Sequence, residues 1–396
     1  MATALKSITP LVREVPHTVS PGLWALAWKR LQSDHVGMVS LAIVAAFILL
    51  MILSGVGLVA KDWNVESGVN YAPPSFIGAD IEAGTPAAPE AQPGAPIPAS
   101  EYKTSVVDPL ADVLAEIRGE KGAAAGAPAA GDDAKTVDPL ADVMADIKAS
   151  GSKAGAKGAE VAVARTATLP FGGDKWGRDV LKKTIKGSET SIFVGLAAAV
   201  VAVFIGTVFG ALSGYYGKWV DDFFNWFYSI FSSIPYLLLI LAVAAVLQQK
   251  GIHTIILILG LTGWTGVFRL IRGEYLKHKA REYVQAADAI GASNARRMFV
   301  HIFPNISHVV LVQLSIYAVG FIKAEVILSF LGFGVPVDVV SWGSMLNEAQ
   351  NELILGKWWQ LVAATVAMAT LVTAFSLFTD ALRDALDPKL KGRTGH

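Results

Sequence analysis

The sequence predicts an all-α polytopic membrane protein with about six transmembrane helices. Of its 396 residues, 53% are hydrophobic and 17% are charged, and the mean hydropathy is +0.48. The apolar residues lie in blocks of roughly 20 or more, the length at which an α-helix crosses the hydrocarbon core. The charges balance, with 33 Lys and Arg against 33 Asp and Glu. Bulk charge therefore gives no reason to expect a nucleic-acid partner.

Six blocks have the length and hydropathy of membrane spans. They are Val36 to Ala60, Ser191 to Tyr216, Phe223 to Leu247, Ile252 to Ile271, Ile306 to Leu331 and Trp359 to Phe378. The first block, residues 36–60, is uncharged and lies well inside the chain, so we predict a retained span and not a cleaved signal. Trp24 and Trp28, with the cations Lys29 and Arg30, precede it as an interfacial flank.

Positive charge in the loops predicts that both termini are cytoplasmic. The stretch from Arg269 to His301 is rich in Lys and Arg, whereas Gly332 to Trp358 carries only Lys357. With six spans, segment 1–35 and the tail 391–396 then lie on the cytoplasmic side. A basic cluster from Lys175 to Lys186 disagrees, but it ends a very long loop, where the rule is weak.

Residues 61–169 are predicted to form a largely disordered extracytoplasmic insertion, because Ala, Gly and Pro dominate it. Within it, "VDPLADVLAEI" (107–117) returns as "VDPLADVMADI" (137–147). Each copy has the apolar spacing of a short amphipathic helix. A duplicated surface helix and a docking peptide for a partner both fit this repeat, and two copies are fewer than a solenoid needs.

The connection 272–304 carries the stretch "EYVQAADAIGASNARRMFVHIFPN". Tyr283, Ala286, Ala287 and Ile290 have the spacing of one helical face. Gly291 is suited to the left-handed residue that ends a helix. We therefore predict a short helix that stops at this glycine.

A second short helix is predicted to begin at Ser293 or Asn294, either of which can cap it. Arg296 and Arg297 fall in its first turn, where cations oppose the helix dipole, so we expect lipid phosphate or a partner's carboxylate to compensate them. Pro304 begins the next span, at a position where its missing N–H is harmless. On these features alone, a basic helix resting on anionic membrane lipid is an open alternative.

Three features of the spans bear on packing and transport. A stripe of glycines, Gly206, Gly210 and Gly214, favours the close approach of another helix over a role in a pore. Pro235 predicts a kink in the third span. Lys323 and Glu325 lie deep in the fifth span and, being two residues apart, cannot face each other. A structural pairing between helices and a place on a pathway remain equal readings for them.

Other chemistry is not indicated. The chain has no Cys, which excludes thiol catalysis and Cys-ligated zinc. It has no Gly-x-x-x-x-Gly-Lys-Ser/Thr segment to cradle nucleotide phosphates, and its seven His show no pairing at metal-ligand spacing. We predict no catalytic residue, metal site or cofactor in this chain.

The loop motif resembles the EAA loop of membrane subunits of binding-protein-dependent ABC importers. Gln285, Ala286 and Ala287 are followed three residues later by Gly291 and then by "HIFP" ending at Pro304. Further segments resemble the C-type permease of dipeptide and oligopeptide importers. They are "GGDKWGRDVL" (172–181), "SIPYLLL" (233–239), "LSFLGFGVP" (328–336), "SWGSML" (341–346) and "DALRDALDPKL" (380–390).

The resemblance implies the type I ABC importer permease fold, with a permease core over 170–390. It implies a second permease, two cytoplasmic ATPases that use ATP and Mg²⁺, an extracytoplasmic substrate-binding protein, and a bacterial inner membrane location. It also implies that the loop docks on an ATPase. The residues so implicated are Glu282, Gln285, Ala286, Ala287, Asp288, Gly291, Arg296, Arg297 and Pro304.

The implied substrate is a di- or oligopeptide, with nickel, glutathione or another peptide-like solute as alternatives. A membrane scaffold that recruits a partner through the repeat is a minor alternative. The sequence departs from the family motif at two positions: Gln285 replaces the usual Glu, and Asp288 stands where a basic residue is common. We hypothesise that the negative charge has moved by one turn and is matched by the cognate ATPase.

Overall fold

The computed structural model describes residues 23–78 and 165–386, which are helical apart from their connections. The helices before the gap are α1 (Leu23–Ser33) and α2 (His35–Gly55). Those after it are α3 (Val180–Tyr216), α4 (Lys218–Ser232), α5 (Tyr236–Leu247), α6 (Ile252–Thr262), α7 (Thr265–Lys279), α8 (Glu282–Ala289), α9 (Asn294–Arg296), a π-helical segment (Arg297–Ile302), α10 (Phe303–Phe330), α11 (Trp342–Ile354) and α12 (Trp359–Leu386). Extended pairing among these residues is limited to isolated bridges.

Four continuous helices are long and apolar enough to cross a membrane: α2, α3, α12 and the helix that runs through α9, the π-helical segment and α10. Two bent pairs bring the number to six if each pair is one span. The α4–α5 pair bends by 84° and the α6–α7 pair by 43°. The fold class predicted from hydropathy is confirmed, and its six spans are found when the bent pairs are counted.

The predicted third span, Phe223 to Leu247, is not one kinked helix. α4 ends at Ser232 and α5 begins at Tyr236, with Pro235 as the residue before it in an extended conformation (φ −54°, ψ 129°). Proline lacks an N–H and disfavours helical geometry in the preceding residue, so the helix stops and restarts in a new direction.

Helix α3 lies at the centre of the fold and begins earlier than predicted. Asp179 caps it by accepting hydrogen bonds from the amides of Leu181 and Lys182. Hydropathy placed the start at Ser191 because lysines occupy the first turns, yet those turns are helical. We refer to the two ends of this helix as the Val180 end and the Tyr216 end.

The glycine stripe of α3 makes close helix contact, as predicted. A methyl group built on Gly206 would lie 2.7 Å from the Trp264 carbonyl oxygen, and one on Gly214 would lie 2.6 Å from that of Arg272. The contacted atoms are backbone atoms that begin and continue α7. The stripe therefore lets α7 lie directly on α3, and any larger residue would force the helices apart.

The edges of the predicted insertion are folded, which corrects its boundaries. Bridges join Gly68 to Thr166 and Pro74 to Leu169, and Ala72 is fully buried. The repeat 107–117 and 137–147, like the tail 391–396, lies outside the described residues. Residues 61–78 and 165–169 thus belong to the folded cap at the Val180 end.

Two helices outside the spans complete the packing. Ala27 and Leu31 of α1 are buried in a cluster with Ala385 and Leu386 of α12. Helix α11 lies in the loop 332–358 and begins with a capping box formed by Ser341 and Ser344. Such reciprocal caps satisfy amides that the helix itself leaves unpaired.

Candidate functional site

The connection between α7 and α10 folds into the predicted helix, turn and second helix. α8 ends at Ala289, and Gly291 has φ +81°, the left-handed conformation that glycine adopts without strain. The Gly291 amide donates to the Asp288 carbonyl (2.8 Å) and the Ala292 amide to that of Ala287 (3.0 Å). These bonds fix a sharp turn at the end of the helix.

The second helix is capped by Ser293, whose hydroxyl oxygen accepts from the Arg296 amide (3.3 Å). It then passes through a π-helical segment, Arg297–Ile302, into α10. Pro304 lies in the first turn of α10, directly after the wider π-helical turn. Proline has no amide N–H, and in a first turn that N–H is not needed for a helical hydrogen bond. The span thus begins well before Ile306, the boundary expected from hydropathy.

α8 has an inner and an outer face, and one residue was assigned to the wrong face. Val284 and Ala287 are buried (3% and 4% exposed), with Val284 in a cluster with Met298 and Ile302. The face predicted from spacing included Ala287, but its methyl group packs inward because the helix lies against the π-helical segment. The other three residues of the predicted face, Tyr283, Ala286 and Ile290, are exposed, and Ile290 is 85% exposed.

The loop is anchored on the Tyr216 end of α3. The Tyr215 hydroxyl donates to the Asn294 side chain (3.0 Å), and Lys279 donates to the Tyr215 carbonyl (2.6 Å). The Arg297 guanidinium lies over the Tyr215 ring, 5.9 Å from its centroid. From α7, the buried Tyr275 donates to the Met298 carbonyl (3.3 Å). The loop is therefore held by both helices that meet at the glycine stripe.

The compensation of Arg297 comes from within the chain. Its guanidinium forms an ion pair with Asp288 of α8 and donates to Asn294 (2.5 Å). The expectation that lipid or a partner would compensate this cation is wrong, because the turn at Gly291 brings the end of α8 next to it. Arg296 is exposed, with no side-chain partner among the residues the structure describes.

Three polar side chains of α8 face outward. Glu282 and Gln285 are exposed, and the Gln285 amide donates to the Ala280 carbonyl (3.3 Å). The Asp288 side chain is 64% exposed although it pairs with Arg297. Together with Ala286 and Ile290 they form a protruding surface, which we name the α8 outer face. This surface combines small, apolar and acidic side chains, and all five are exposed.

Lys323 and Glu325 lie in different environments on α10. Lys323 is exposed and makes no hydrogen bond or ion pair with a described residue, whereas Glu325 is fully buried. The Ser329 hydroxyl donates to Glu325 (2.6 Å) one turn further along the helix. Glu325 thus belongs to the packing between helices, whereas Lys323 lies on the surface of the described residues.

A buried polar network at the Val180 end escaped the sequence analysis. The ammonium of Lys183, 1% exposed, lies 2.7 Å from Asp174 and 2.5 Å from Glu348, and also donates to Gln360 (3.3 Å). These residues come from the loop before α3, from α3 itself, from α11 and from α12. We name this set the Lys183 network. It ties four segments together at a single ammonium group.

The signal for this network was present in the spacing. Lys183, Gly187, Ser191 and Val194 follow one another at intervals of three or four residues and share the buried face of α3. The lysine was taken for a loop cation because the start of the helix was placed too late. Asp174 lies only nine positions before Lys183, but Glu348 and Gln360 lie 165 and 177 positions after it. These two distant partners could not be named from the sequence.

Glu352 lies beside this network. It is 2% exposed, and one carboxylate oxygen accepts from the Lys175 amide (3.2 Å), while the other has no hydrogen-bond partner among the described residues. Burial raises the pKa of Glu352 to about 7, against the opposing effect of the Lys183 charge. A carboxyl group in this position takes up a proton more readily than one in water.

Comparison with known families matches two parts of the chain. Residues 206–392 match the family described as binding-protein-dependent transport system inner membrane component. Residues 22–74 match the N-terminal TM domain of oligopeptide transport permease C. The first match includes the α8 outer face and Lys323, and the second includes α1 and α2.

Curated relatives match over slightly more than half the chain. The dipeptide transport system permease protein DppC of Bacillus subtilis is 37% identical over 221 residues, 56% of this chain and 69% of that protein. The oligopeptide transport system permease protein OppC of the same organism is 38% identical over 221 residues, covering 56% and 72%. OppC of Haemophilus influenzae is 36% identical over 219 residues, covering 55% and 70%.

Proposed function

Because the chain belongs to the family of binding-protein-dependent transport permeases, and is the permease subunit of a peptide ABC importer, we propose that it forms half of a pathway for di- or oligopeptides. A homologous second permease supplies the other half. Two cytoplasmic ATPases hold the ATP and Mg²⁺, and an extracytoplasmic binding protein delivers the peptide. The chain itself contributes no catalytic residue in this proposal.

The proposal rests on the hydrogen bonds that hold the segments next to the α8 outer face against α3 and α7. α8 protrudes from the Tyr216 end, yet Tyr215 and Tyr275 bind the adjoining segments to α3 and α7. A partner that pushes on this face therefore pushes on two membrane helices. That is the mechanical property required of an element through which ATP-driven closure reorients a pathway.

The residues of the loop divide into two roles. Glu282, Gln285, Ala286 and Ile290 present contacts to the ATPase, since they are exposed. Asp288, Arg297, Gly291 and Pro304 fix the shape of the loop. Asp288 already pairs with Arg297. We therefore assign it mainly to the shape of the loop and not to replacing the family glutamate in contact with the ATPase.

The orientation follows from the same assignment. An ATPase-docking loop is cytoplasmic, and six spans then place both chain termini in the cytoplasm and the Lys183 network on the extracytoplasmic side. The lysines and arginines of residues 269–301 agree with this orientation. In the membrane, the exposed Arg296 is positioned for anionic lipid or for the ATPase.

The test compares two substitutions that place a carboxylate on an exposed aliphatic residue. Ile290→Asp changes the α8 outer face, and Val337→Asp, at a residue 97% exposed in the loop before α11, is the matched control. We expect Ile290→Asp to reduce ATPase recovery in a pull-down of the tagged chain by about tenfold or more, with the second permease retained. Val337→Asp should leave ATPase recovery unchanged. Equal recovery for both variants would contradict a docking role.

A further inference from the structure

Both broken helix pairs meet at one cavity on the α10 side of the fold. The cavity has a volume of about 410 Å³. Its wall includes Tyr236, directly after the α4–α5 break, and Gly263 and Thr265 on either side of the α6–α7 break. Interrupted helices at membrane depth are stable only when they are buried in protein or border water. Their convergence at an open cavity indicates a hydrated region.

The α10 surface beside this cavity carries polar residues next to the apolar Ile316 and Phe321 that also line the cavity. Gln313, Tyr317, Gly320 and Lys323 follow one another at intervals of three or four residues, so they share one side of the helix. Tyr317 and Gly320 line the cavity itself, and nothing lies within 4 Å of a methyl group built on Gly320. A lipid-facing side of a span would carry aliphatic residues at these positions.

Lys323 lies one turn beyond Gly320 on this surface. Its ammonium is exposed and unpaired among the described residues, whereas the nearby Glu325 is buried and faces Ser329. An unpaired ammonium in hydrocarbon is strongly unfavourable, so lysines within spans face water or a binding partner. Lys323 is thus an exposed positive charge one helical turn from Gly320, which lines the cavity.

We propose that Lys323 is a substrate-binding residue of the translocation pathway, where its ammonium pairs with the C-terminal carboxylate of the passing peptide. This inference rests on the proposed function. Every linear peptide carries that carboxylate whatever its sequence, so one fixed cation can serve many substrates. Beside the lysine, Gly320 leaves open space in which peptide side chains of different size can be placed.

Lys323 and Glu325 have different roles in this proposal. Glu325 is fully buried among helices, so it meets no substrate, and of the two only the lysine acts on transport selectivity. An ammonium ion attracts a carboxylate but has no such attraction for the neutral amide that replaces it in an amidated peptide. The ratio of uptake rates for acid and amide therefore reports directly on this contact.

The experiment uses the assembled importer in proteoliposomes, with its binding protein and ATP. Uptake of trialanine and of trialanine amide is measured for wild type, Lys323→Gln, Lys323→Arg and the control Lys250→Gln, which removes an exposed loop cation. We expect Lys323→Gln to reduce the acid-to-amide uptake ratio by about tenfold. Lys323→Arg should restore most of it, and Lys250→Gln should match wild type.

Two results would overturn the inference. Lys323→Gln could leave the acid-to-amide ratio unchanged, which includes slowing both peptides equally. It could also lose the second permease from the purified complex, which would make Lys323 a contact between subunits. Failure of the proposed function has a different signature. In that case wild type takes up neither peptide, although its binding protein and ATPases are present.

Discussion

Replacing Lys183 by methionine should destabilise the Val180 end of the fold. The substitution keeps an unbranched side chain, one atom shorter, but removes the ammonium, so the buried Asp174 loses the cation 2.7 Å away. Breaking a buried ion pair on one side costs about 3 to 5 kcal/mol. Asp174 keeps hydrogen bonds from the Trp176 and Arg178 amides (2.9 and 3.0 Å), and Glu348 is 29% exposed to solvent. Both features favour the lower end, about 3 kcal/mol.

The assay is thermal unfolding of the purified protein in detergent. With an unfolding entropy of about 2.1 cal/mol/K per residue, a loss of about 3 kcal/mol lowers the Tm of a 396-residue chain by roughly 4 °C. Lys182→Met is the matched control, because Lys182 is the neighbouring residue and its side chain, 39% exposed, pairs with Asp62 on the surface. Such an exposed pair contributes about 1 kcal/mol or less.

A double variant separates charge from packing. Adding Asp174→Asn to Lys183→Met removes the uncompensated carboxylate, so we expect it to recover about half of the lost stability or more. If Lys183→Met and Lys182→Met lowered the Tm equally, the buried network would contribute nothing specific. If the double variant were as unstable as the sum of the single variants, the loss would come from packing and not from charge.

Three further predictions concern the glycine stripe, the buried acid and the loop. Gly214→Ala places a methyl group 2.6 Å from a backbone oxygen of α7 and should cost about 1 to 3 kcal/mol, whereas Gly320→Ala, in open space, should leave the Tm nearly unchanged. Burial raises the pKa of Glu352 to about 7, so the folded state binds its proton more tightly than the unfolded state. Wild-type stability should therefore fall as the pH rises from about 4.5 to about 7, and Glu352→Gln should flatten the Tm measured between pH 5 and pH 8. Asp288→Asn removes the carboxylate charge that pairs with Arg297. Because the Asp288 side chain is exposed, the Tm should fall by about 1 °C, and a fall as large as that of Lys183→Met would contradict this expectation.

The spans were predictable because hydrocarbon imposes the same requirement on every helix. About 20 apolar residues are needed, and α2, α3, α10 and α12 meet this requirement in the sequence itself. Hydropathy failed where a helix extends past the hydrocarbon. Lys182 and Lys183 lowered the local mean, so the first turns of α3 were assigned to a loop. An Asp at position 179, before the apolar run, was the available sign of a helix start.

The loop was predictable to the extent that its signals are local. Gly291 and Ser293 end one helix and begin the next through their own backbone and side-chain chemistry, and both roles are found. The partner of Arg297 was not predictable in this way, because it depends on the angle between the two helices. Asp288 reaches Arg297 only once the turn at Gly291 has folded the chain back.

Contacts along its whole length allow α3 to connect the two ends of the permease. At the Val180 end Lys183 holds it to α11 and α12, and at the Tyr216 end Tyr215 holds it to the loop. Between them the glycine stripe brings the α3 backbone directly against α7, with no α3 side chain between the two helices. We therefore expect α3 and α7 to move together when the loop is pushed. The bends at Pro235 and at Gly263 are then the points where the pathway can change shape, since there the helical hydrogen bonding is already interrupted.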